Sequence, residues 1–202
     1  MHDTTTPRPT FWRLWLIWML GFLAFPIAGV AASVIVGPID SPSAAVIGGG
    51  ITGLVVGAGQ ALASRGRLDW RWWIPATTLG MAVGLLLGAA VVSYGSSLPD
   101  LVLMGALTGV PLGIAQAIAL PRRTRLRWVW AAAMPVLWAL GWTVTTVAGI
   151  AVSDQFAIFG AFGAITFAAL SGVLLHVLLP PGPAPAHQSQ TDPAHPAVAD
   201  LR

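Results

Sequence analysis

Between Leu14 and Val36 the chain carries no charged side chain, and five further stretches of similar length are almost as apolar. About 20 such residues match about 30 Å of hydrocarbon when they are helical, at a rise of about 1.5 Å each. A bilayer offers no water to a loose backbone, so each run must satisfy its own peptide groups. A soluble fold would need a charged surface, yet only 8% of these residues are charged, against about 25% in an average soluble domain. The chain is therefore read as an all-α, multi-pass membrane protein.

The apolar runs place six transmembrane helices at about 11–36, 44–63, 72–94, 100–120, 128–152 and 156–179, one domain over 11–179. Pro38, Asp40 and Pro42 mark the first turn, Gly95 to Pro99 the third, and Ser153, Asp154 and Gln155 the fifth. Residues 1–10 form a polar tail. Residues 180–202 are rich in Pro, Ala, His, Gln and Asp and read as a disordered tail without a packed core. Pro26 is expected to kink the first span. A signal peptide is the competing reading of that span, with Arg8 and Arg13 ahead of it and Ala31, Ala32 and Ser33 as a cleavage site. Its apolar run exceeds the usual length of about 7–15 residues, which favours an uncleaved anchor.

Charge sets the orientation. Arg8, Arg13, Arg65, Arg67, Arg71 and Arg122, Arg123, Arg125 and Arg127 all fall on one side of the six-span arrangement, and Asp40, Asp100 and Asp154 on the other. By the positive-inside rule both termini are cytosolic. All the basic residues apart from histidine are arginines and all the acidic ones are aspartates, a bias that points to a GC-rich bacterial genome and hence a bacterial inner membrane. The arginines sit in short loops beside apolar runs, so the high pI is a topology signal and implies no nucleic-acid partner.

Within the spans a phrase recurs. Gly49, Gly53 and Gly57 precede Gln60; Gly105, Gly109 and Gly113 precede Gln116; Gly160, Ala164 and Ala168 precede Ser171. The three stripes start at 49, 105 and 160, steps of 56 and 55 residues. The odd-numbered spans also share a pattern: Trp12 and Trp15, then Trp70, Trp72 and Trp73, then Trp128 and Trp130, each group followed by a Leu-Gly pair at 20–21, 79–80 and 140–141. The expectation is an internal repeat, three helical hairpins, packed through a glycine zipper. Tryptophan at a span's start is read as a headgroup anchor, while Trp138 and Trp142, which lie deeper, are read as packing residues.

This phrase, Gly-xxx-Gly-xx-Gln, then arginines, then Trp and Leu-Gly, resembles the repeats of a family of uncharacterised bacterial multi-span membrane proteins. Gln60, Trp73, Gly80 and Gln116 carry the likeness, best over 49–84 and less well over 105–142; the first and sixth spans depart from it. The resemblance implies membrane location and repeat architecture, and no activity.

Gln60, Gln116 and Ser171 each lie eleven residues, about three turns, after the first residue of their stripe. All three therefore face the packed side near the cytosolic end, as interhelical polar contacts or as ligand contacts. No catalytic residue is assigned: no nucleophile lies beside a base, and no acid or base sits mid-membrane, where ionisable groups mark ion pathways. The chain has no cysteine, and His176, His187 and His195 lack partners at ligand spacing, so neither metal nor cofactor is expected. The leading function is a non-enzymatic structural or interaction module, with the lipid bilayer, a membrane-protein partner or a second copy as its partners. The alternative is a small-solute transporter or the substrate-binding subunit of one. The ladder Ala24, Ala28 and Ala32 on the first span fits that alternative.

Overall fold

The structure, a computed structural model, describes residues 11–124, 126–150 and 156–179. The expected tails at 1–10 and 180–202, Arg125 and the turn at Ser153 to Gln155 lie outside the described residues. The described chain is all-helical, with six segments long and apolar enough to cross a membrane. The first is α1 (Phe11–Met19), a short 3₁₀ stretch (Leu20–Leu23) and α2 (Ala24–Val36). The others are α3 (Pro42–Ala63), α4 (Trp70–Val91), α5 (Leu98–Ala119), α6 (Arg127–Val147) and α7 (Ala161–Leu178).

Local chemistry sets the ends. Ser41 caps α3 by accepting from the Ala44 N–H at 3.3 Å, with Pro42 next at a position that needs no donor. Asp69 accepts from the Arg71 N–H at 3.0 Å and starts α4, and Ser97 starts α5 in the same way. In the first span the helix tightens to 3₁₀ just ahead of Pro26. Proline supplies no N–H for the Phe22 carbonyl and its ring crowds that carbonyl, so the preceding turn rewinds.

Two boundaries differ from those expected. The fifth span stops at Val147 rather than 152, where Gly149 takes a positive φ of 81° and the helix cannot continue. The sixth begins at Ala161 rather than 156. Residues 156–160 are apolar but not helical, and Phe159 from this segment is buried against Trp138 and Phe25, with ring centroids 5.0 and 5.5 Å away. The backbone just after it is satisfied by the protein: the Gly160 N–H donates to Thr145 Oγ1 at 3.1 Å. Irregular backbone beside membrane-spanning helices is tolerated when protein covers it.

Each helix packs on its neighbours in the chain, and the first span returns to α7, closing a ring. Small residues set how closely the backbones approach. A Cβ at Gly53 would lie 2.6 Å from the Thr77 carbonyl oxygen of α4. One at Gly84 would lie 2.5 Å from the Thr108 oxygen of α5, and one at Gly109 2.5 Å from the Pro135 Cα of α6. Gly163 meets the Gly141 carbonyl, Gly172 meets Trp18, and Gly59 meets Ala24. Lipid supplies no hydrophobic drive between helices, so this contact is the main attraction available. The ring's interior is filled by aromatic side chains: Phe25, Trp138, Phe159 and Phe167 in one half, and Trp73 and Trp130, 5.8 Å apart, in the other. Aliphatic side chains such as Leu79, Val136 and Val177 cover the outside.

Phe11 lies edge-on to His176, with centroids 4.6 Å apart, so the start of α1 and the end of α7 share one end of the bundle. The α3–α4 loop joins them there, because Arg67 donates to the carbonyls of Leu175 and Leu179.

Candidate functional site

The site is a hub of polar side chains about one turn in from that end. Gln60 on α3, Gln116 on α5 and Ser171 on α7 are all buried, as are Trp73, Thr77 and Trp130. Each amide stands near the end of its helix, and the next helix in the chain carries, at its fourth residue, a tryptophan that reaches it. Trp73 Nε1 donates to Gln60 Oε1 at 3.1 Å, and Trp130 Nε1 to Gln116 Oε1 at 3.0 Å. An indole N–H can only donate. The atom it faces must therefore be oxygen, and this orients both amides.

With its oxygen turned to Trp130, Gln116 points Nε2 across the ring. There it donates to Thr77 Oγ1 at 3.0 Å and to Gln60 Oε1 at 3.4 Å. Thr77 donates its own O–H to the Trp73 carbonyl at 2.8 Å, so its oxygen is oriented to accept. Gln116 thus uses both donors and its oxygen. Gln60 accepts twice through Oε1, and its Nε2 makes no hydrogen bond among the described residues. The structure therefore brings Gln60 and Gln116 into direct contact.

Ser171 is held apart from them, with a tryptophan of its own. Trp18 Nε1 donates to Ser171 Oγ at 3.1 Å, and that hydroxyl leans on the Ala168 carbonyl at 3.4 Å. The three positions that match in sequence therefore each accept from an indole. In the first two cases the tryptophan is the fourth residue of the following helix; in the third it comes from the first span, which follows α7 around the ring. A small cavity of about 10 Å³ lies between Gln60 and Ser171, lined also by Trp18, Gly21, Phe25 and Phe167.

The tryptophans divide by their burial and by what their N–H groups meet. Trp12, Trp70, Trp72 and Trp128 are exposed on the outside, where a headgroup anchor belongs. Trp73 and Trp130, which their position groups with the anchors, are fully buried and serve the amides instead. Trp138 and Trp142 are buried packing residues, as expected. The signal for the donor tryptophans lies in the spacing: 13 residues separate Gln60 from Trp73 and 14 separate Gln116 from Trp130, which spans one tight turn and returns to the same depth. The loop cation Arg67 was visible only as topology. It is half-buried, and its pKa is lowered from the ordinary value by burial and then by the nearby Arg123. Its charge instead meets the last carbonyls of α7, where a helix end carries partial negative charge.

Outside the hub, an open groove of about 610 Å³ runs between the first span and α3, lined by aliphatic side chains such as Leu20, Ile27, Leu54 and Leu62. Among the described residues no group of three or more metal-ligating side chains comes together. No protein-family model, curated protein or solved structure matches this chain.

Proposed function

We propose that this chain is a non-enzymatic integral protein of the bacterial inner membrane, a structural or interaction module built from three helical-hairpin repeats with both termini in the cytosol. The observation that carries this reading is how the hub spends its polar atoms. Gln116 uses every donor and its acceptor on Thr77, Gln60 and Trp130, so the residues best placed to meet a solute bind one another. The aromatic filling of the ring supports the same reading, because a transport path for a polar solute needs polar walls and room. Repeat ancestry is supported by the three indole contacts at matching positions, Trp73 to Gln60, Trp130 to Gln116 and Trp18 to Ser171. Of these residues Gln60, Trp73 and Gln116 also carry, with Gly80, the resemblance to uncharacterised multi-span bacterial proteins. The one-sided arginines support the orientation.

The test is native mass spectrometry of the protein released from its own membranes in mild detergent, together with photo-crosslinking in those membranes from Leu54 and Leu62. The expected result is a protein carrying lipid alone and a crosslinked species of one defined mass from both positions. A stoichiometric solute that is lost in Gln60→Leu and Gln116→Leu would overturn the reading in favour of a small-solute transporter or its binding subunit.

A further inference from the structure

We propose that the cavity between Gln60 and Ser171 is a binding site for one ordered water molecule, which completes the polar hub across the ring. Gln60 is 97% buried, being 3% exposed, and its oxygen is committed to Trp73 and Gln116. Its Nε2 is left with two protons and no acceptor. Leaving an amide donor without a partner away from bulk water is unfavourable, and native proteins seldom leave such a group uncompensated. The residue lines a cavity whose other polar side chains are Ser171 and Trp18. Trp18 is already donating, so Ser171 Oγ is the group within the cavity that can exchange a hydrogen bond with a guest.

The occupant is defined by chemistry and size. It must accept from the Gln60 Nε2, which a metal or ammonium cation cannot do. It must also bond a hydroxyl that already accepts from an indole. The cavity's volume of about 10 Å³ matches the roughly 10–15 Å³ that one water requires, and two to four polar partners suffice to hold it. A solute of several heavy atoms does not fit. The reason for the gap lies in the sequence. Position 171 matches 60 and 116, but the serine side chain has three fewer heavy atoms than glutamine and reaches two atoms less far. Where Gln116 reaches Gln60 directly, Gln60 faces a side chain too short to reach back, and the water takes the place of the missing amide.

The experiment is water-edited solid-state NMR on the full-length protein in liposomes, with glutamine side-chain amides labelled with ¹⁵N and resolved by comparison with Gln60→Leu and Gln116→Leu. The expected result is magnetisation transfer from water to the Gln60 amide protons and none to those of Gln116. In Ser171→Gln the three added heavy atoms exceed the space for one water, so the guest is displaced, transfer to Gln60 is lost, and the melting temperature falls through overpacking. Absence of transfer to Gln60 in the wild-type protein would overturn the proposal. So would equal transfer to both glutamines, which would mean that bulk water enters from the near end. The wild-type comparison decides the matter even if Ser171→Gln fails to accumulate.

Discussion

At the scale of single residues, the hub shows how a membrane protein uses glutamine. An amide offers two donors and one strong acceptor, and in a water-poor interior each must be matched. Gln116 achieves this with three side chains from α3, α4 and α6; Gln60 does so only in part. The two residues should therefore differ on substitution. Interhelical hydrogen bonds in membranes average about 0.6 kcal/mol, so Gln116→Leu, which removes three, should cost about 2 kcal/mol in unfolding titrations. Gln60→Leu removes two from the protein and should cost about 1 kcal/mol. The double variant should cost less than the sum, since the Gln60–Gln116 bond would otherwise be counted twice. Strict additivity would mean that the two amides do not interact in the membrane.

At the scale of the helix, the glycines divide by what faces them rather than by their place in a motif. Gly50 and Gly109 both sit in α-helices on a glycine-rich run. A Cβ at Gly50 meets nothing within 4 Å, whereas one at Gly109 would lie 2.5 Å from backbone atoms of Pro135. Gly50→Ala should be neutral or stabilising by about 0.5–1 kcal/mol through lower backbone entropy. Gly109→Ala should cost about 1–3 kcal/mol, because backbone, unlike a flexible side-chain tip, cannot yield cheaply. Equal thermal stability of the two variants would show that α5 and α6 do not approach as closely as described. The end of α7 is likewise an element held from outside. Arg67 supplies the donors for the Leu175 and Leu179 carbonyls. In Arg67→Ala, amide hydrogen exchange over 175–179 should accelerate while exchange in the middle of α4 stays unchanged. Unchanged exchange at 175–179 would remove the cap from the account.

At the scale of the whole molecule, closure of the ring is the step that makes six helices one body. The first span packs on α3 through Gly59 and Ala24, and on α7 through Gly172 and Trp18. The chain's lack of cysteine makes topology directly measurable. Single cysteines at Asp40 and Asp100 should react with a membrane-impermeant thiol reagent on intact cells, and one at Arg123 should react only after the membrane is opened. Labelling of Arg123→Cys from outside would reverse the orientation. A cysteine pair at Phe11 and His176, whose rings are 4.6 Å apart, should be joined by a short bifunctional reagent in the membrane. Failure to join would place α1 away from α7 and leave the ring open.

The number of spans and the side proposed for the loops were legible in the chain because both follow from properties that add along a segment. Hydropathy over about 20 residues decides insertion, and the count of arginines in a short loop decides its side. The burial of Gln60, Gln116 and Ser171 was legible as well, since residues at equal distances along similar helices face the same way. Which atoms they meet was not. Trp73 and Trp72 are adjacent and identical in kind, yet one is buried against an amide and the other points outward. A helix turns about 100° per residue, so only the placement of the neighbouring helices separates an anchor from a donor. The same holds for Phe156 to Gly160, whose hydropathy fits a helix. Tertiary packing made it an irregular segment, because Gly141 leaves a space that Phe159 fills. The pairing of Trp18 with Ser171 joins residues 153 positions apart. No local pattern encodes such a contact, which exists only once the last helix lies against the first.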